Sequence, residues 1–161
     1  MYNISLSKTA FLFQVGPIEL GGNLTAQVYN HFLHNELVNI VQGLPNNGNI
    51  WFQHDGAPAH TAHVNQARLN QMFPNRWIGG GGTQPWPARS PDLNPLDFFL
   101  WGAIKDRVYS IEIQNEDDLR QRIVQAFQAI TPEMLESTIL NNRRRIACCI
   151  QQNGGHIENF L

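Results

Sequence analysis

The stretch that most constrains the fold is IWFQHDGAPAH, residues 50–60. Its leading apolar residues predict a buried strand, which needs a core around it. The strand closes on His54 and Asp55, and Gly56 and Pro58 then break it. An aspartate before a glycine is common turn chemistry, because its short side chain hydrogen-bonds the nearby backbone. A strand end is also a rigid place from which to aim a metal ligand or general base, so both interpretations of Asp55 are carried forward.

The overall charge limits the partners that the chain attracts. Its 161 residues are 42% hydrophobic, which suits one domain with an ordinary core. The formal net charge of −2 gives no general attraction to nucleic acid or an anionic membrane, so any DNA contact must come from a local patch. The dense basic run, residues 143–145, is interpreted as a solvated end of a helix that complements the helix dipole.

The two cysteines, Cys148 and Cys149, are adjacent in sequence, and such neighbours rarely meet the geometry of a disulfide. Because nothing indicates a secreted disulfide scaffold, a reducing compartment is the default expectation. The first residues lack a basic leader and a small-residue cleavage site, and no segment approaches membrane-spanning length. We therefore expect a soluble intracellular protein with no membrane partner.

Hydrophobic spacing predicts the elements of the first half. A strand is expected over residues 9–20, interrupted at Gly16 and Pro17, and an amphipathic helix over 25–42. After the strand of the opening stretch, Thr61 is expected to cap a helix that runs to Met72.

A short strand over residues 76–78 is expected to enter the glycine run 79–82, which lacks the spacing and lysine of a phosphate loop. Three helices should follow, with caps at Asn94, Asn115 and Thr131. The fold class predicted from this order is α/β, as a single domain with a helical C-terminal half.

Two aspartates flank a turn in the segment WPARSPDLNPLDFFLWG, residues 86–102. Asp92 follows Ser90 and Pro91, where an aspartate normally closes a turn. Asp97 lies near the start of the predicted helix, where a carboxylate favours the helix dipole. The stiff loop before Asp97 also allows it to return to the end of the Asp55 strand. Two carboxylates that converge there would make a site for a divalent cation, and Mg²⁺ prefers such oxygen ligands.

The histidines and tryptophans have simpler interpretations. His54, His60 and His63 lack the spaced partners of a zinc site, and His60 is expected to begin a helix and order the loop around Asp55. The tryptophans are expected to pack in the core or a lid, although an exposed aromatic side chain can also stack on an unpaired base.

The motifs QHDGAPAH, RWIGGGG and WPARSPDLNPLDFFLWG together resemble the catalytic domain of mariner-like transposases of the insect type, in the DDE/D superfamily. The resemblance runs from about Gly16 to Phe160. It implies a ribonuclease H-like fold with an incomplete mixed sheet and flanking helices. It also implies acidic residues that bind two Mg²⁺ or Mn²⁺ ions, of which Asp55 matches the second acid and Asp97 the third.

Three departures from the family pattern matter. The segment between Asp55 and Asp97 is longer than usual, and Gly81 or a neighbour replaces a common arginine. Before Asp55 the acidic residues are Glu19 and Glu36, and neither matches the first acid. We therefore expect residues 1–161 to be one catalytic domain that lacks the first catalytic strand and the helix-turn-helix region.

The resemblance implies DNA cleavage and strand transfer in transposition and DNA integration, with transposon ends as the partner, a nuclear location and no small-molecule substrate. It is compatible with a homodimer. Because the first acid is unmatched, we expect this chain to be inactive alone. The alternative function is a non-catalytic remnant or a host-adopted module that binds nucleic acid or protein.

Overall fold

The computed structural model describes residues 4–6, 11–13, 17–20, 22–87 and 90–161. The chain divides into two compact units, Met1–Ala88 and Arg89–Leu161, which are described in turn. Among the described residues, no helix is long and apolar enough to cross a membrane.

A short hairpin opens the first unit. Strand β1, Ile4–Leu6, pairs with strand β2, Phe11–Phe13, in the antiparallel sense. The predicted strand over residues 9–20 is thus confirmed only at β2. Residues 17–20 form no regular element, and residues 9–10 and 14–16 lie outside the described part of the chain. The predictions did not include β1, because its three residues are too short a run to show a period.

The strand of the opening stretch belongs to a parallel pair. Strand β3, Phe52–Gln53, pairs with strand β4, Trp77–Ile78, so that Phe52 lies opposite Trp77. The His54 N–H donates to the Ile78 carbonyl at 3.1 Å and extends the ladder by one residue. Parallel strands need a crossover between them, and two helices supply it here.

These crossover helices are α3, Pro58–Thr61, and α4, His63–Met72. The prediction that Thr61 caps the second of them is wrong. Thr61 is the last residue of α3, and its hydroxyl donates to the Pro58 carbonyl at 3.3 Å. Ala62 stands at the cap position without a side-chain bond, since Pro58 starts a helical turn earlier than expected.

The long helix predicted over residues 25–42 is confirmed, with an irregular middle. It consists of α1, Ala26–Phe32, a π-helical turn, Leu33–Leu37, and α2, Val38–Gly43. The Thr25 hydroxyl caps it by accepting the Val28 N–H at 3.2 Å. A π turn adds a residue to one turn of a helix and so rotates the apolar face beyond it.

The core of the first unit lies between this helix, the parallel strands and α4. Large aromatic and aliphatic side chains fill it, as their types predict. Its buried members are Tyr29, Phe32, Leu33, Leu37, Ile50, Phe52, Ala59, Leu69, Phe73 and Trp77.

The second unit is helical, as predicted for this half of the chain. A single turn at Pro91–Leu93 leads to a π-helical turn, Leu96–Leu100, which continues as α5, Trp101–Val108. Two longer helices follow, α6, Glu116–Gln128, and α7, Pro132–Gln151.

The predicted caps of α6 and α7 are confirmed. The Asn115 side chain accepts the Asp118 N–H at 2.9 Å, and the Thr131 hydroxyl accepts the Met134 N–H at 3.4 Å. Helix α5 packs on α6, and the buried residues of this unit include Leu100, Ile104 and Phe127. The unit therefore has an apolar core of its own.

Candidate functional site

Asp55 lies two residues beyond β3, as the sequence predicts for a strand-end carboxylate. Its Oδ1 atom accepts the Ala57 N–H at 3.0 Å, which is the expected turn. The same oxygen accepts a hydrogen bond from His60 Nδ1 at 2.6 Å. The prediction that His60 orders the loop around Asp55 is therefore confirmed, but His60 does not begin a helix as expected, because α3 begins at Pro58. The Asp55 side chain remains 53% exposed, while that of His60 is 8% exposed.

The electrostatics of Asp55 favour its charged form. The hydrogen bond from His60, more than any other cause, lowers the pKa of Asp55 to about 2, and the Ala57 N–H acts in the same direction. Partial burial opposes both; its influence on the pKa is smaller than that of the His60 bond and larger than that of the Ala57 N–H. The carboxylate is thus ionised at neutral pH and half open to solvent, which suits a ligand for a cation.

A buried stack of rings stands behind this carboxylate. The rings of His54 and His60 are nearly parallel, with centroids 4.9 Å apart, and the Tyr29 ring lies 4.5 Å from that of His60. The Tyr29 hydroxyl shares a 3.0 Å hydrogen bond with His54 Nδ1, and Trp77 meets the His54 ring edge-on at 5.3 Å. The stack joins α1, β3, α3 and β4 at one place.

Burial keeps His54 neutral. It is the main cause that lowers the pKa of His54 to about 3, and His60 lowers it further. Gly79 is buried beside this ring, and a Cβ atom there would overlap His54 Cδ2 and Nε2. The first glycine of the run 79–82 is therefore a packing requirement, which the sequence analysis did not identify.

No zinc cluster is seen at these histidines. His60 Nδ1 is engaged with Asp55, and His63 is exposed on α4. Within the described residues, no group of three or more histidine, cysteine, aspartate or glutamate side chains is placed to hold a metal ion.

Asp97 lies in the second unit, in the first turn of its helix. The buried Asn94 caps this turn as predicted, because its carbonyl accepts the Asp97 and Phe98 N–H groups and its Oδ1 accepts the Leu96 N–H at 3.2 Å. Asn94 Nδ2 also donates to Asp97 Oδ2 at 2.9 Å. The carboxylate thus bonds the side chain of the cap rather than its backbone.

A buried arginine near Asp97 was missed by the sequence analysis. Arg145 donates to Glu158 and to the Asp92 carbonyl, at 2.9 and 3.0 Å, and its guanidinium lies 4.3 Å from the centre of the Phe98 ring. The basic run was interpreted as a solvated helix end that complements the helix dipole. Arg143 and Arg144 are exposed, but Arg145 is buried, and the run lies before the last turn of α7, so the predicted place at the helix end is wrong. Arg145 lies seven residues after the buried Thr138 and so on the same face of the helix, and this spacing could have predicted its burial.

Arg145 supports one wall of an open pocket of about 220 Å³ that Asp97 also lines. The lining residues are Pro91, Asp92, Asp97, Phe98, His156 and Glu158. Asp92 is the middle residue of the turn Pro91–Leu93, in agreement with its predicted place in a turn.

Comparison with known proteins identifies the relatives of this chain. No protein-family model matches the sequence. The chain is 30% identical to the Tc1 transposase of Caenorhabditis elegans over 103 residues, which cover 64% of this chain and 35% of the relative. It is 25% identical to the Tcb1 transposase of Caenorhabditis briggsae over 142 residues, which cover 87% of this chain and 48% of the relative. Its homologues are transposases of the Tc1/mariner family. The resemblance found in the sequence is thus confirmed, and the chain spans at most about half the length of these relatives.

The fold is that of the Mos1 mariner transposase catalytic domain. Its crystal structure has a TM-score of 0.73 to this chain at 22% identity, and the match covers 91% of this chain and 71% of that one. The predicted ribonuclease H-like fold with an incomplete sheet and a helical C-terminal half is confirmed. Other structures of that Mos1 domain contain Mg or Mn together with raltegravir, and a Mos1 paired end complex contains Mn.

Proposed function

We propose that this chain is the catalytic region of a transposase that cuts and joins DNA with Mg²⁺ or Mn²⁺, and that Asp55 and Asp97 are metal ligands. The observation that carries the proposal is the Asp55 carboxylate, which is ionised, half exposed and fixed at the end of a strand. Homology to Tc1/mariner transposases supports the reaction class.

The donor atoms suit the proposed ions. Magnesium takes hard oxygen ligands and keeps several waters, so it is bound by one or two carboxylates rather than a full protein cage. Asp55 Oδ1 already accepts two hydrogen bonds, and no hydrogen bond to Oδ2 is recorded among the described residues. Asp55 therefore fits as a ligand through Oδ2.

Asp97 fits as a second oxygen ligand. It is exposed and belongs to a capped helical turn, so its backbone is well defined. Asp55 and Asp97 belong to different units, and the approach of their carboxylates to within about 4–7 Å of each other stays a prediction, as a shared metal site requires.

The chemistry proposed for this site is phosphoryl transfer. Two bound metal ions would hold the attacking and leaving oxygens and offset the developing charge on the phosphate. The part of this chain in that reaction is to bind and orient the ions through Asp55 and Asp97. Three acidic ligands are usual for this chemistry. Glu19 lies on an irregular segment and Glu36 in the π-helical turn, so neither is proposed as the missing acid.

The partners follow from the same proposal. Transposon-end DNA would be the substrate, in a nuclear location, and a dimer that joins two ends is compatible with it. The support for this assignment is the structural similarity of this chain to the Mos1 paired end complex. Because the formal net charge of −2 gives the chain little general attraction for a duplex, any binding to DNA must come from a local patch.

The decisive test compares two proteins in an assay of metal-dependent nicking of a transposon-end duplex. One is this 161-residue chain, and the other is the chain extended by the in-frame sequence upstream of Met1. We expect no nicking by the first and nicking by the second that Asp55→Ala and Asp97→Ala each abolish, because each removes a ligand.

The alternative, a non-catalytic remnant or binding module, predicts that neither protein nicks DNA. Its supporting observation is the unmatched first acid. Nicking by the 161-residue chain that disappears in its Asp55→Ala variant would show that another residue supplies the third carboxylate. Nicking by the extended chain that survives Asp55→Ala would disprove the site assignment.

A further inference from the structure

We propose that His60 is a positioning residue for Asp55, which holds carboxylate oxygen Oδ1 and so reserves Oδ2 for the divalent cation. The role of the cation rests on the function proposed above. The positioning itself is a property of the folded chain and can be measured without DNA.

The hydrogen bond is the first support. At 2.6 Å, the separation of His60 Nδ1 and Asp55 Oδ1 is at the short end for an N–H donor, as expected when the acceptor is charged. The Ala57 N–H donates to the same oxygen, at 3.0 Å. With two donors on Oδ1, the carboxylate has a defined orientation, and Oδ2 is the oxygen left for a ligand from solvent.

The rigidity of His60 is the second support. Its ring is buried and packs against those of His54 and Tyr29. Its backbone N–H donates to the Ala57 carbonyl at 2.9 Å, so helix α3 and the Asp55 turn share one anchor. A ligand held by a packed second residue keeps its geometry better than a ligand on an unsupported loop.

Core packing alone does not account for the choice of histidine. The stack with Tyr29 and His54 requires a flat ring, which phenylalanine also offers. The donor at Nδ1 is what the carboxylate requires. A variant that keeps the ring and loses the donor therefore separates positioning from packing.

The test uses the 161-residue chain with Mn²⁺ as the probe. His60→Phe keeps a ring without a donor, and His60→Asn restores a donor near the place of Nδ1 without the ring. Tyr29→Phe is the matched control, because it removes the hydroxyl bonded to His54 and keeps its ring in the stack. Asp55→Asn tests the ligand itself.

Two readouts are combined. Binding is measured from the relaxation of water protons by Mn²⁺, and ¹⁵N–¹H correlation spectra of the imidazole show whether Nδ1 of His60 carries the hydrogen. We expect a proton on Nδ1 in the wild type, and Mn²⁺ affinity about tenfold lower in His60→Phe, in the range typical for loss of a residue that supports a metal ligand. His60→Asn should recover most of the affinity and Tyr29→Phe should keep it.

The outcomes separate this inference from the proposed function. If Asp55→Asn abolishes Mn²⁺ binding but His60→Phe binds as the wild type does, the inference is overturned and the metal role of Asp55 stands. If Asp55→Asn changes nothing, the proposed ligand is wrong. Side-chain coupling constants of Asp55 then decide the positioning, which is supported if they become averaged in His60→Phe and overturned if they do not. If His60→Phe fails to fold, the wild type and His60→Asn decide. The absence of a proton on Nδ1 of wild-type His60 overturns the inference. A proton there, together with full Mn²⁺ binding by His60→Asn, supports it.

Discussion

The two candidate ligands are held in different ways. Asp55 accepts hydrogen bonds from the Ala57 N–H and from a buried histidine that lies within a stack of rings, whereas Asp97 accepts a bond from Asn94, three residues before it. The histidine is packed by elements distant in sequence, whereas the Asn94 bond lies within one turn of helix. Substitutions should therefore perturb Asp55 through the tertiary packing of the first unit, and Asp97 through local helix structure and the core of the second.

The largest expected effect concerns the core that carries the Asp97 helix. Leu100 is 2% exposed, so Leu100→Ala should lower the free energy of unfolding by about 2–5 kcal/mol through lost burial and a cavity. Leu140→Ala is the matched control, because Leu140 is 61% exposed on α7, and it should change stability by no more than about 0.5 kcal/mol. Urea unfolding measures both. A near-zero cost for Leu100→Ala would show that the Asp97 helix is peripheral.

The stack beneath Asp55 should make the protein acid-sensitive. The pKa of His54 is lowered from 6.5 to about 3, so between these values the unfolded chain binds a proton that the folded chain does not. The contribution of His54 to stability is therefore complete above pH 6.5 and falls as the pH drops towards 3, by at most about 1.4 kcal/mol per pH unit.

Urea unfolding at pH values from 7 to 4 checks this slope. His54→Asn keeps a hydrogen-bonding partner for Tyr29 but does not titrate, so its stability should depend less on pH in this range. Equal slopes in the two proteins would contradict the assignment to His54. Asp55 acts in a separate window, because its lowered pKa removes stability only as the pH falls from about 3.8 to about 2.

Substitution of two glycines by alanine should change the stability of the protein in opposite directions. Gly79→Ala would force a Cβ into the His54 ring and should cost about 1–3 kcal/mol through overpacking. Gly102 lies inside α5 with no atom near its absent Cβ, so Gly102→Ala should stabilise the protein by about 0.5–1 kcal/mol. Thermal unfolding of the two variants gives the signs directly. Stabilisation by Gly79→Ala would mean that the stack is loosely packed.

An effect smaller than that of Leu100→Ala is expected at the cap that holds Asp97. Asn94→Ala should cost about 0.5–2 kcal/mol, because it removes the bonds to the Leu96 N–H and to Asp97. Asn115→Ala removes a similar cap from α6, where Asn115 is exposed. We expect the Asn94 variant to lose more stability, since Asn94 is buried and bonds a carboxylate as well. The same unfolding experiment compares them, and an equal or larger loss for Asn115→Ala would argue against a special role for Asn94.

Local chemistry allowed much of this structure to be predicted. The caps at Asn94, Asn115 and Thr131, the turn at Asp92 and the place of Asp55 after a strand each depend on residues within a few positions of one another. Such contacts follow from side-chain type and spacing. The prediction for Thr61 failed at the same level, because a proline three residues earlier started a separate turn.

The contacts between residues distant in sequence were decided only by the tertiary structure. Tyr29 and His54 are 25 residues apart and share a hydrogen bond, and Arg145 reaches back 53 residues to the Asp92 carbonyl. No spacing rule pairs such residues, because the pairing depends on how helices and strands pack around each core. The sequence by itself determined that a carboxylate stands at the end of a strand in a Tc1/mariner relative. The packing of Tyr29, His54 and His60 decided that the pKa of this carboxylate is lowered and that it is held through one oxygen, since burial fixes the ring that donates to it.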